Sequence, residues 1–187
     1  MSNTKKTTSV LAGLLLLSSI TGFNQIYADH DQVILSEDTC ENILGGIWNS
    51  ATCTVTDYAS DVNLRIPEEV TLKIIGKFEN SSLIVIDNYA TMSVVGWGAS
   101  TNGKVLNEGA IVNNGLIECI RCGFINGNTV INSGTISNDW KMSSNDTFYN
   151  FGVINNSGEF INRGTFNSCS GEVTGYQIER NQPVDIC

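Results

Sequence analysis

Six cysteines, one histidine and a thin scatter of charged side chains are the residues of this chain best equipped for chemistry. Cys40, Cys53, Cys119, Cys122, Cys169 and Cys187 form an even set, which in an oxidising compartment reads as three disulfides. Six cysteines admit about 15 pairings. Local spacing favours Cys40–Cys53, Cys119–Cys122 and Cys169–Cys187. Closing the first loop is worth about 3 kcal/mol in the chain-entropy account. Cys119-Ile120-Arg121-Cys122 is a CxxC. A thioredoxin-like pair would need a helix pattern after it, and a zinc site a second close pair; the sequence offers neither. It therefore reads as a pinned loop, and no metal is expected. His30 is the sole histidine and lies close to the expected mature N-terminus, a poor place to assemble a catalytic triad.

A polysaccharide lyase or hydrolase needs converging carboxylates and a basic partner. The available acids are Asp87, Glu108, Glu118, Asp139, Asp146 and Glu159, with Arg121, Lys141 and Arg163 as bases. They sit mostly at outward positions of the repeat described below, so no catalytic residue, cofactor or metal site is expected. Ten basic against nineteen acidic residues give a net charge of −9, which offers no footprint for nucleic acid. A hydrophobic share of 41% excludes an acidic disordered tail.

The N-terminus reads as an address. Lys5 and Lys6 precede the apolar run Val10–Leu17, and Ala28 offers a small residue for cleavage before Asp29. The run is shorter than the ~20 residues of a membrane span. Residues 1–28 are expected to be a signal peptide and 29–60 a disulfide-bounded cap. Residues 61–187 are expected to be a solenoid with its own C-terminal cap. The product would be secreted, without a stable membrane span once the leader is cut, and would carry a net charge of −11.

The elements that must position these groups are set by a repeat. LNEGAI (106–111), VNNGLI (112–117), INSGTI (131–136), YNFGVI (149–154), NNSGEF (155–160) and INRGTF (161–166) have the consensus apolar-Asn-x-Gly-x-apolar, from which Asn155 alone departs. Asn126, Asn132, Asn138, Asn150, Asn156 and Asn162 fall on one six-residue frame, with Ser144 and Ser168 in the remaining places. Four residues after each frame position come Val130, Ile136, Met142, Phe148, Ile154, Phe160 and Phe166, an unbroken apolar row. The frame slips by one residue around the CxxC, where a bulging loop is expected.

Period six is neither helical nor the plain alternation of a sandwich, and it marks a parallel β-helix. The fold expected is all-β: a single β-solenoid with triangular coils of ~18 residues. A short strand cannot bury its apolar residue alone, but stacked coils bury it as a column. Asparagine stacked on asparagine forms an amide ladder. Glycine and asparagine are expected to supply corners through their tolerance of the left-handed conformation. At a spacing of 18, Thr129, Thr147 and Thr165 stack, and Lys141 meets Glu159. Short runs between Val62 and Gly96, broken by Pro67, Asn80 and Asp87-Asn88, read as less regular coils.

IPEEVTLKIIGKFENSSLIVIDNYATMSVVGW (66–97), continuing into LNEGAIVNNGLI, resembles secreted Asn-Gly-repeat β-solenoid proteins of microbial envelopes. These have pectate-lyase-like or filamentous-haemagglutinin-like parallel β-helices. TCENILGGIWNSATCTV (39–55) is similar to a disulfide-bounded element of exported prokaryotic proteins. The resemblance is one of architecture and location and specifies no activity. With the scattered charges and the lone histidine, the expectation is a non-catalytic, adhesin-like or structural surface component whose partners are surface glycans or envelope proteins. Its alternative is a carbohydrate-active enzyme or glycan-binding module. Asn80, Asn145 and Asn155 head glycosylation sequons. Trp48, Trp97 and Trp140 are read as packing residues of caps and coil surfaces.

Overall fold

The computed structural model describes residues 32–96, 103–182 and 184. The expected signal peptide, His30, Trp97 and Cys187 lie outside them. The described chain is an all-β parallel solenoid of about 6 turns, averaging ~19 residues per turn. Each turn carries three short strands, so the coil has three sides. The first side stacks Val33–Ile34, Leu64–Ile66, Leu83–Ile86, Ala110–Asn113, Thr129–Asn132, Thr147–Asn150 and Thr165–Asn167 into one sheet. The other two sides form a continuous sheet, because Thr52–Ser60 and Thr71–Asn80 each run through both. Further along, the second side holds Thr91–Val95, Leu116–Ile120, Thr135–Asn138, Val153–Asn156 and Glu172–Gly175. The third holds Gly103–Asn107, Cys122–Asn126, Lys141–Ser144, Glu159–Asn162 and Ile178–Arg180.

Registry follows the hexad. Thr129 pairs with Thr147 and Thr147 with Thr165, and Lys141 pairs with Glu159. The Lys141 Nζ–Glu159 Oε2 distance is 2.7 Å. Both side chains are about half exposed, so the pair contributes at most about 1 kcal/mol. The later coils repeat every 18 residues. Earlier ones are longer: Leu64 pairs with Ile84, and Leu83 with Ala110 across a segment that includes residues 97–102.

The core is three apolar columns, one per side. Ile84, Ile111, Val130, Phe148 and Phe166 make the first. Leu72, Met92, Ile117, Ile136 and Ile154 make the second, and Phe78, Val105, Phe124, Met142 and Phe160 the third. All fifteen are essentially inaccessible to water. Burying one such side chain contributes about 1.5–3 kcal/mol, and no single coil could enclose it alone.

The first coil already begins within 29–60, since Thr52–Ser60 pairs in parallel with Thr71–Asn80. A short helix, Glu37–Asn42, is tied to it through the Cys40–Cys53 disulfide. Ser36 caps the helix: its Oγ accepts from Thr39 N–H, and Thr39 Oγ1 accepts from Ser36 N–H at 2.7 Å. Trp48 sits on the hairpin strand Ile47–Asn49, opposite Cys53, and packs against the core.

The hexad glycines are not left-handed. Positive φ among the described glycines occurs at Gly45, Gly76 and Gly175, and none of the ladder asparagines has it. The expectation that the repeat glycines turn corners through backbone freedom is therefore corrected. A Cβ on Gly109, Gly134, Gly152, Gly158 or Gly164 would run into a backbone carbonyl oxygen of the preceding coil. These residues are glycine because adjacent corners stack too closely for any side chain.

Candidate functional site

The polar side chains of the interior gather at the three corners as amide ladders. At the corner between the first and second sides, Asn113 Nδ2 donates to Asn132 Oδ1 at 2.7 Å, and Asn132 Nδ2 to Asn150 Oδ1 at 2.8 Å. At the corner between the third and first sides, Asn80 donates to Asn107 at 2.8 Å and Asn107 to Asn126 at 2.9 Å. Asn126 then donates to Ser144 Oγ at 3.3 Å. Between the second and third sides, Asn138 donates to Asn156 at 2.8 Å. Asn162 lies on the frame but donates to the Asn181 carbonyl instead.

Most ladder amides do several jobs. Asn113 Oδ1 accepts from Gly115 N–H, while its Nδ2 also donates to the Thr135 carbonyl at 3.0 Å. Asn126 repeats the pattern with Asn128 N–H and the Thr147 carbonyl. A primary amide carries two donors and two acceptor lone pairs, so it ties its own turn and two coils at once. No other uncharged side chain of this length matches that valence. Asn80, Asn107 and Asn113 belong to the ladders although they precede the regular frame. For Asn107 and Asn113 the signal in the sequence was the apolar-Asn-x-Gly phrase itself, which Asn80, in Glu79-Asn80-Ser81-Ser82, lacks.

Ladder membership bears on the sequons. Asn80 is buried and its Nδ2 is committed to Asn107, so the folded chain cannot carry a glycan there. Asn145 and Asn155 are exposed at the surface. Asn145 Oδ1 accepts from Arg163 at 3.4 Å, and Asn155 Oδ1 accepts from Thr174 Oγ1 at 2.8 Å.

Both local disulfides predicted within the described residues form: Cys40–Cys53 and Cys119–Cys122. Cys169 is also disulfide-bonded. The CxxC is not an outward loop. Cys119 and Cys122 are buried, and Cys119 takes the place of an asparagine at the corner between the second and third sides. The frame slip is one extra residue at this corner, with Arg121 in the left-handed region at φ 51°. The extra residue is absorbed because Arg121 N–H donates to Asp139 Oδ1 at 2.6 Å.

The charged candidates are divided among several places on the coil. Asp87 is paired with Arg65 at 2.8 Å, at the edge of the first side. Glu108 and Asp146 lie at the corner between the third and first sides, as does Arg163. Glu118 is on the second side, Asp139 at the corner beyond it, and Glu159 with Lys141 on the third side. Asp146 Oδ1 accepts from its neighbour Thr147 at 3.0 Å. Among the described residues, no three of His, Cys, Asp and Glu are grouped as a metal would require.

A concave feature lies on the outer surface, along the corner between the first and second sides. It is an open groove of ≈ 570 Å³ bordered by Asn88, Tyr89, Thr91, Asn114, Leu116 and Thr135. Tyr89 is 81% exposed and has φ 61°. Nothing in the sequence singled it out, since its neighbours read only as a turn. Trp140, at the next corner, is partly exposed at 38%. Comparison with protein-family models, with curated proteins and with solved structures returned no match.

Proposed function

We propose that this chain is exported and serves, without catalysis, as a structural or adhesin-like component of a microbial cell surface or extracellular matrix. The reading rests on the spread of its charged side chains over three sides and several corners, where Asp87 is held by Arg65 and Glu159 by Lys141. A hydrolase or lyase must bring two such groups onto one substrate bond. The internal columns, amide ladders and disulfides support the same reading, since they favour a stiff spacer with repeating outer rows. The disulfides and the leader-like N-terminus agree with an oxidising destination. The absence of any helix long and apolar enough to cross a membrane, among the described residues, agrees with release from it.

The test has two arms. N-terminal sequencing of the exported product should begin at Asp29. The oxidised chain should be retained on cell-wall or matrix preparations and release no sugar from a panel of plant and microbial polysaccharides. Sugar release abolished by Glu118→Gln or Asp139→Asn would replace this proposal with the enzyme reading.

A further inference from the structure

We infer that the groove beside Tyr89 binds a neutral, extended polysaccharide chain lying along the solenoid axis. The inference deepens the surface-component proposal and rests on it. Asn114, Ser133 and Phe151 occupy one column of the corner, and Tyr89 stands at its start, on a turn two residues longer than the one that follows it. Successive members of the column are separated by about 4.8 Å, the strand spacing of a sheet. An extended chain of pyranose rings advances by a comparable step, so each ring can face one coil.

The chemistry of the lining fits a sugar. A pyranose presents apolar C–H faces, which stack on aromatic rings, and a rim of hydroxyls, which need donors and acceptors. Tyr89 supplies an exposed ring with a polar tip. Asn88, Asn114, Thr91 and Thr135 supply amides and hydroxyls around the same space. The lining carries no charged side chain, and the net charge of −9 works against an acidic glycan. A peptide strand has no free edge to join here. Leu116 N–H donates to the Ala90 carbonyl at 2.9 Å and Thr135 N–H to Gly115 at 2.8 Å, so the corner backbone is already engaged between coils.

Tyr89 also sits where a bulky residue is disfavoured. A φ of 61° suits glycine or asparagine, and the turn imposes it here as it does on Glu69, at φ 62°, in the coil before, so a tyrosine carries a conformational cost. Residues kept against such a cost are concentrated at binding surfaces.

The test is calorimetric titration of the oxidised chain with β-1,4- and β-1,3-linked glucose hexasaccharides, with polygalacturonate and an unstructured peptide mixture as competitors. The variants are Tyr89→Asn and Thr135→Val. Tyr89→Asn should raise the thermal midpoint or leave it unchanged, while weakening hexasaccharide binding by about tenfold or more. Thr135→Val should weaken binding without loss of fold. Binding unchanged by Tyr89→Asn, no binding of either neutral hexasaccharide, or displacement by polygalacturonate or peptide would each overturn the inference. Retention of the chain on wall preparations separates the two proposals. Retention that survives Tyr89→Asn removes the groove and leaves the surface reading intact, whereas no retention of the unaltered chain removes both.

Discussion

Cys119 lies in register with Asn138 on the neighbouring coil, where an asparagine would otherwise continue the amide ladder. The consequence is visible on Asn138: its Oδ1 is buried and has no hydrogen-bond partner. The disulfide and the ladder are thus alternative ways to close the same corner, and one begins where the other stops.

That relationship orders the ladder positions by cost. Asn132 both accepts from Asn113 and donates to Asn150. Asn132→Ala strands a buried donor on one coil and a buried acceptor on another, at about 1–3 kcal/mol each. Asn138→Ala strands only the acceptor of Asn156 and removes an already unsatisfied oxygen. Thermal unfolding should show the first variant lowered by several degrees more than the second. Equal losses would mean that the ladder bonds contribute little.

The two local disulfides should differ in weight. In the chain-entropy account, Cys40–Cys53 closes a loop worth about 3 kcal/mol, and the three-residue separation of Cys119–Cys122 about 2 kcal/mol. Replacing Cys40 and Cys53 by Ser also frees the cap helix from the first coil. Denaturant titration of the two double-serine variants should therefore place the Cys40/Cys53 pair lower. The opposite order would make the corner at Arg121, and not the cap, the weak point of the solenoid.

Glycine substitutions separate close approach from backbone freedom. A Cβ at Gly158 would overlap the Trp140 carbonyl, whereas one at Gly123 would come no closer than 3.8 Å to the Lys141 oxygen. Gly158→Ala should cost several kcal/mol or abolish folding, because backbone would have to move. Gly123→Ala should be neutral or gain about 0.4–1 kcal/mol by restricting the unfolded chain. Circular dichroism melts decide between these outcomes.

Tyr58 predicts a response at alkaline pH. Burial pushes its phenol up from the ordinary value, Ser60 opposes this by hydrogen bonding, and the charge of Asp61 adds to the rise. Its ring also stacks on Phe78 with centroids 6.0 Å apart. Because the folded value lies above the unfolded one, the folded chain holds the proton longer. Its contribution is complete below about pH 10, the unfolded value, and is lost as pH rises through the folded value. Unfolding measured from pH 8 upward should show a steeper alkaline loss for the unaltered chain than for Tyr58→Phe. Parallel curves would exclude Tyr58 as the cause.

The six-residue period gave the apolar row from Val130 to Phe166, and stacking at 18 stands out from other multiples of six because it sets Thr129, Thr147 and Thr165 in one row and Lys141 on Glu159. It did not reveal why the glycines are glycine. Composition alone cannot distinguish a required left-handed φ from a carbonyl of the next coil pressed against Cα. The Asn80 sequon looked like a modification site because a tripeptide says nothing of burial. The long interval from Leu83 to Ala110 broke the count that otherwise linked Asn80 to Asn107. The groove at Tyr89 was illegible for a simpler reason: its border comes from three different coils.

The amide ladders have one more consequence. In every Asn–Asn rung the lower-numbered residue is the donor, from Asn80 to Asn107, Asn113 to Asn132 and Asn138 to Asn156. The rungs therefore add as vectors, and the prism has a chemical polarity of its own. Amide oxygens point toward the cap helix, and amide N–H groups toward the last coil. Two such prisms could extend one another only head to tail.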